Sequence, residues 1–212
     1  MNFGLDEISA EGVRGRAAVD RLLPTDPDTA LSTARAIRHP WYRCQALTEV
    51  AKVLSPLHDS IHILEESLAA AHAQHEPNRI VTVAAWPLSI LIKLDRERTV
   101  REVESLLNLA STELHGLRRL DALDRLLASV AQDIELRRRI AERYLLTAHQ
   151  CAGWRADRTT AFRAEQLAKI DLPLAKEILA SRRVNRFSKK AVKAVEALEH
   201  CRALSVWANS EI

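Results

Sequence analysis

Residues 43–54 and residues 119–130 carry the same apolar pattern, 76 positions apart, and that repeat restricts the chain to stacked helices. Arg43-Cys-Gln-Ala-Leu-Thr-Glu-Val-Ala-Lys-Val-Leu54 aligns without a gap on Arg119-Leu-Asp-Ala-Leu-Asp-Arg-Leu-Leu-Ala-Ser-Val130. After each arginine come Ala-Leu at three and four residues, then apolar residues at seven and eleven. Those offsets make one stripe of an amphipathic helix. The preceding segments align at the same shift, Ala30, Leu31 and Ala34 against Leu106, Leu107 and Ala110. A break at Pro40 in one copy and Gly116 in the other separates the two stretches. Each copy therefore reads as a helical hairpin.

Two weaker copies complete the series. One begins at Arg79, with Val83, Trp86 and Ile90 on the stripe and Pro77 at the break; the other begins at Arg158, with Ala161-Phe162 after Gly153. Segments around Arg16 and after Arg186 read as degenerate end copies. A single hairpin cannot bury its apolar face, but a stack of them can. The expected fold is all-α, a right-handed α-solenoid of about five stacked hairpins forming one domain over 1–212. Eleven helices are expected, near 5–23, 27–38, 41–54, 57–74, 77–93, 96–114, 117–131, 133–149, 155–169, 172–183 and 186–207. Pro27, after Asp26, suits a first helical position; Pro87 should kink the fifth helix.

Composition agrees. Aromatics are only 4% of the chain, and the five glycines are too few for a β-sandwich or for most phosphate-cradling loops. Cys44, Cys151 and Cys201 are odd in number and widely spaced, so they suggest neither a disulfide framework nor a zinc site. The first residues lack the basic and apolar regions of a signal peptide, and the longest uncharged run, between Arg79 and Lys93, is too short for the ~20 residues that span a bilayer. The chain is expected in the cytoplasm, off the membrane and without a cofactor or metal. Charge is uneven: residues 1–106 sum to −3 and residues 107–212 to +6.

The string from Asp26 to Leu47, with Asp26-Pro27, Ala30, Ala34-Arg35, Ile37, Pro40 and Ala46-Leu47 in place, resembles the tetratricopeptide/HEAT-like repeats of actinobacterial multidomain signalling proteins. The spacings from Arg43 to Arg79, Arg119 and Arg158 also suit such arrays. This resemblance implies a ligand-sensing or scaffolding module.

Three groups of residues are candidates for binding. Arg43, Arg79, Arg119 and Arg158 recur once per hairpin. They would form a ladder of forks for carboxylates or phosphates, or each would hold a neighbouring hairpin, which is the stronger reading for a position set by the repeat. Trp41, with Tyr42 beside it, and Trp154 lie near hairpin turns, where Trp and Arg make interface anchors. The stretch 181–193 contributes Arg182, Arg183, Arg186, Lys189, Lys190 and Lys193 with no acid, a basic patch suited to phosphates or to an acidic protein. His58, His62, Glu65 and Glu66 share a helix face, but no H-E-x-x-H accompanies them. G-x-S-x-G, G-x-x-x-x-G-K-[ST] and G-x-G-x-x-G are all missing from the sequence. The leading expectation is a scaffold gripping one protein partner on its concave face, as an adaptor or an antitoxin-like immunity protein. The alternative is a HEAT-like nucleic-acid binder or DNA-repair glycosylase using the basic C-terminal half.

Overall fold

The computed structural model describes the backbone of residues 3–54 and 57–210, and side chains over 9–54 and 60–201. These residues form eleven helices and no strand: α1 (Phe3–Leu22), α2 (Pro27–Ala36), α3 (Pro40–Val53), α4 (Leu57–His72), α5 (Pro77–Leu94), α6 (Arg96–Thr112), α7 (Gly116–Ser129), α8 (Ile134–Gln150), α9 (Trp154–Leu167), α10 (Leu172–Ala180) and α11 (Arg186–Ser210). All eleven expected helices are present, with ends moved by a few residues. None of the described helices is long and apolar enough to cross a membrane.

Local chemistry fixes the starts. Asp26, Asp95, Asp133 and Asp171 each accept the backbone N–H three residues on, capping α2, α6, α8 and α10. Pro27, Pro40 and Pro77 occupy first-turn positions, where the missing N–H breaks no helical bond.

The sequence reading draws one domain over 1–212, whereas the helices pack as two compact units. One runs through Glu113 and includes Ala128–Val130; the other holds Leu114–Leu127 and Ala131 onward. No Gly- or Pro-rich linker marks this division: the chain changes unit at the turn before α7, within α7 after Leu127, and again after Val130.

In the first unit α1 packs on α3 and α3 on α5, while α2, α4 and α6 seat against those odd-numbered helices. Gly12 and Gly15 permit the approach of α1. A methyl at Gly12 would strike the Tyr42 ring, and one at Gly15 would lie 2.8 Å from Cγ1 of Ile37. Beneath them lies a buried polar knot. Pro87, inside α5, lacks the N–H that would bond the Val83 carbonyl, and the Cys44 thiol donates to that carbonyl at 3.5 Å. Thr48 and Ser67 share a hydroxyl–hydroxyl bond of 2.9 Å, and Ser67 donates to the Cys44 carbonyl. Burial pushes the Cys44 thiol up to about 12, leaving it a protonated packing group.

The hairpin repeat is visible in burial. Cys44, Ala46, Leu47, Thr48, Val50 and Ala51 are buried in α3, and the same six positions are buried 76 residues on in α7, from Leu120 to Leu127. A shift of 37 gives Val81 to Leu88, including Pro87, in α5.

Candidate partner-binding groove

The frame of the second unit is tied by buried charges. Arg163 on α9 makes a two-pronged bond to Asp124 on α7, 2.8 Å to each oxygen, with both side chains nearly covered. Arg137 on α8 reaches the Asp171 carboxylate at 3.1 Å, the group that also caps α10. Bidentate and charge-assisted, such bonds fix the angle between helices as well as their distance.

Arg182, just past α10, forms the third tie. It donates to Asp157 in the first turn of α9 at 2.5 and 2.9 Å, to the Ala148 carbonyl at 2.8 Å, and to the Cys151 carbonyl. It thus supplies a side-chain donor to carbonyls at and just past the end of α8. Its side chain is only 10% exposed. Arg182 is therefore a fastening residue, and the assignment to an exposed basic patch is corrected by this burial.

Around that tie two cavities adjoin. One of about 600 Å³ is lined by His149, Cys151, Gly153, Ser181, Arg182, Arg183 and Asn185, among others. The other, about 370 Å³, is lined by Trp154, Asp157, Asn185, Arg186 and Phe187. Asp157 and Asn185 belong to both walls, so the two form one groove between the start of α9 and the start of α11.

Gly153 shapes the mouth. Its φ of +98° is a conformation other residues rarely adopt, and no atom lies within 4 Å of where its Cβ would stand. As the N-cap of α9 it offers no side-chain acceptor, whereas Asn185 accepts from the N–H groups of Phe187 and Ser188 at the start of α11. Burial raises the Cys151 thiol, against the opposing pull of Arg182 and Arg119, so it stands in the groove as a neutral wall group.

Aromatic rings and guanidinium groups meet at one end. Trp154 is 54% exposed, and the guanidinium carbons of Arg155 and Arg158 lie 5.6 and 5.7 Å from its ring centroid. Arg186 lies 4.7 Å from the Phe187 ring. These are cation–π distances. Among the described residues no carboxylate pairs with Arg155, Arg158, Arg183 or Arg186, in contrast to the carboxylate-bound Arg137, Arg163 and Arg182.

The structure thus brings together Trp154, Arg158, Arg183 and Arg186, which the sequence presented as two separate features. Lys189, Lys190 and Lys193 are exposed in the first turns of α11. The remaining candidates fall elsewhere. Trp41, Tyr42, Arg43 and Arg79 belong to the first unit. Tyr42 is engaged internally, its ring 4.9 Å from that of His39 and over Gly12. Arg79 pairs with Glu76 at 3.0 Å, and Arg119 donates to Gln150 at 3.1 Å.

The four repeat arginines do not share one position. In the burial register Arg43 and Arg119 correspond, while Ile80 takes that place in α5. Arg79 lies one residue early, so the ladder drawn from sequence is broken at α5. The histidine-rich face is also otherwise engaged, with Glu65 bonded to Arg98 and Glu66 to Arg35; His58 lies outside the residues whose side chains are described, as does Trp207. Asp124 is locked to Arg163. Of the groove residues, Asn185 and Phe187 were not among the sequence candidates, although Phe187 sits inside the basic stretch; nor was Arg155, which adjoins Trp154.

No family model, no curated protein and no solved structure gives a significant match to this chain.

Proposed function

We propose that the chain is a helical-repeat scaffold of the tetratricopeptide/HEAT-like kind, its hairpins arranged as a right-handed α-solenoid, which grips one macromolecular partner. The alternation of odd- and even-numbered helices in the first unit, and the burial pattern recurring at shifts of 37 and 76 residues, support the repeat reading. The binding edge is the groove of the second unit, and the surface it receives is anionic.

One observation carries this reading: Arg183 and Arg186 line the groove, Arg158 lies over the exposed Trp154 ring at its end with Arg155 beside it, and among the described residues none of the four makes an ion pair with a carboxylate. A protein that neutralises its other buried arginines and leaves these open presents them to something outside itself. Trp and Arg together are also the side chains that dominate binding energy at interfaces. The role is that of an adaptor, holding a partner rather than transforming it.

Affinity capture from lysate with the tagged chain, run with and without nuclease, tests the assignment. The wild type is expected to retain a stoichiometric partner that Arg158→Ala/Arg183→Ala/Arg186→Ala loses, with helicity unchanged. Undiminished retention by the triple variant would move the interface elsewhere.

A further inference from the structure

We infer that the anionic partner of this groove is single-stranded nucleic acid, an inference that rests on the anionic-partner reading above. The walls are built of Gly153, Ser181, Asn185, arginines and the rings of Trp154 and Phe187; among the described residues no aliphatic side chain larger than alanine contributes. A protein partner anchors by filling apolar pockets, and this groove offers none. It offers flat rings beside flat cations. That combination accepts bases by stacking and phosphates by charge, with little regard to sequence.

The electrostatics agree. Asp157 is the one carboxylate among the described residues of the walls, and it is bonded to Arg182 at 2.5 Å, so its charge is offset from within. Arg183 and Arg186 flank Asn185 and remain available to phosphate oxygens. A duplex would bring the same phosphates but keep its bases stacked on each other, leaving Trp154 without a role. The exposed ring therefore selects a single strand.

The test is fluorescence anisotropy with a labelled 12-nucleotide oligothymidylate, compared with its duplex and with a polyglutamate peptide of similar charge. The oligothymidylate is expected to bind most tightly, with affinity falling as salt rises. Trp154→Ala should weaken binding roughly tenfold, as loss of one stacked base does, while Trp154→Phe retains most of it. Arg183→Ala/Arg186→Ala should flatten the log–log salt dependence by about 0.7 for each phosphate no longer neutralised. Circular dichroism establishes that each variant is folded.

Three outcomes overturn the proposal in distinguishable ways. Duplex binding as tight as the single strand, insensitive to Trp154→Ala, would remove the selection for unpaired bases. Polyglutamate binding as tightly as the oligonucleotide would point to an acidic protein and leave the anionic reading standing. Failure of all three probes to bind, or binding unaffected by Arg183→Ala/Arg186→Ala, would sink both.

Discussion

In the first unit the residues that set helix spacing are small and uncharged, Gly12 and Gly15 against Tyr42 and Ile37, with Cys44, Thr48 and Ser67 knotted beneath. In the second unit the equivalent work falls to arginine–carboxylate pairs, Arg163 with Asp124, Arg137 with Asp171 and Arg182 with Asp157. The edges differ in the opposite sense. Arg38 and Arg79 at turns of the first unit meet Glu11 and Glu76, whereas the groove of the second leaves its guanidinium groups open. Where the carboxylates go decides which edge can hold an anion.

The largest expected effect comes from breaking a buried pair. Arg163→Ala leaves Asp124 covered and unpaired close to the Tyr144 ring, and such a loss costs about 3–5 kcal/mol. Urea denaturation should show that drop for Arg163→Ala, while Asp124→Leu/Arg163→Leu stays within about 1 kcal/mol of the parent, since two apolar groups need no partner. A small effect of the single variant would mean that packing of α9, not charge, fixes the second unit.

How far the fold could be read from sequence follows from the same contrast. The helices were legible because burial is periodic: α3 and α7 start and end 76 residues apart, as Pro40–Val53 and Gly116–Ser129. Asp at 26, 95, 133 and 171 marks the starts of four even-numbered helices, a residue type that favours the N-cap whatever packs around it. The groove was not legible as one object. Its central tie joins Arg182 to Asp157 across 25 residues, and nothing in the basic stretch distinguishes the arginine that turns inward from those that stay out. The arginine ladder misled because arginine is common on helix faces, and a shift of one or two residues alters which face a residue occupies.

A second, smaller test addresses the first unit. Alanine in place of glycine inside a helix is worth about 1 kcal/mol of added stability where space allows. Gly15→Ala should do the reverse, because its methyl would press on Ile37, and overpacking of this kind costs about 1–3 kcal/mol. A double-mutant cycle of Gly15→Ala with Ile37→Ala, followed by thermal unfolding, separates the two causes: the loss caused by Gly15→Ala should be smaller when Ile37 is already alanine. A Gly15→Ala variant more stable than the parent would show that α1 does not rest on Ile37.

The smallest effect concerns pH, and it belongs to the first unit alone. His72 on α4 bonds Glu102 on α6 at 2.5 Å, and that bond raises the imidazole above its usual 6.5, against the opposing effect of burial. A proton held more tightly in the folded state stabilises it below the unfolded value, and the gain disappears as pH rises through the folded one. The pair is partly exposed, so its contribution should stay below about 1 kcal/mol. Denaturation at pH 5.5 should find His72→Gln slightly less stable than the parent, and the difference should shrink as pH rises through the raised value. If the His72→Gln deficit persisted unchanged at high pH, the imidazole would be acting as a neutral packing group, and α4 and α6 would be joined by shape rather than by charge.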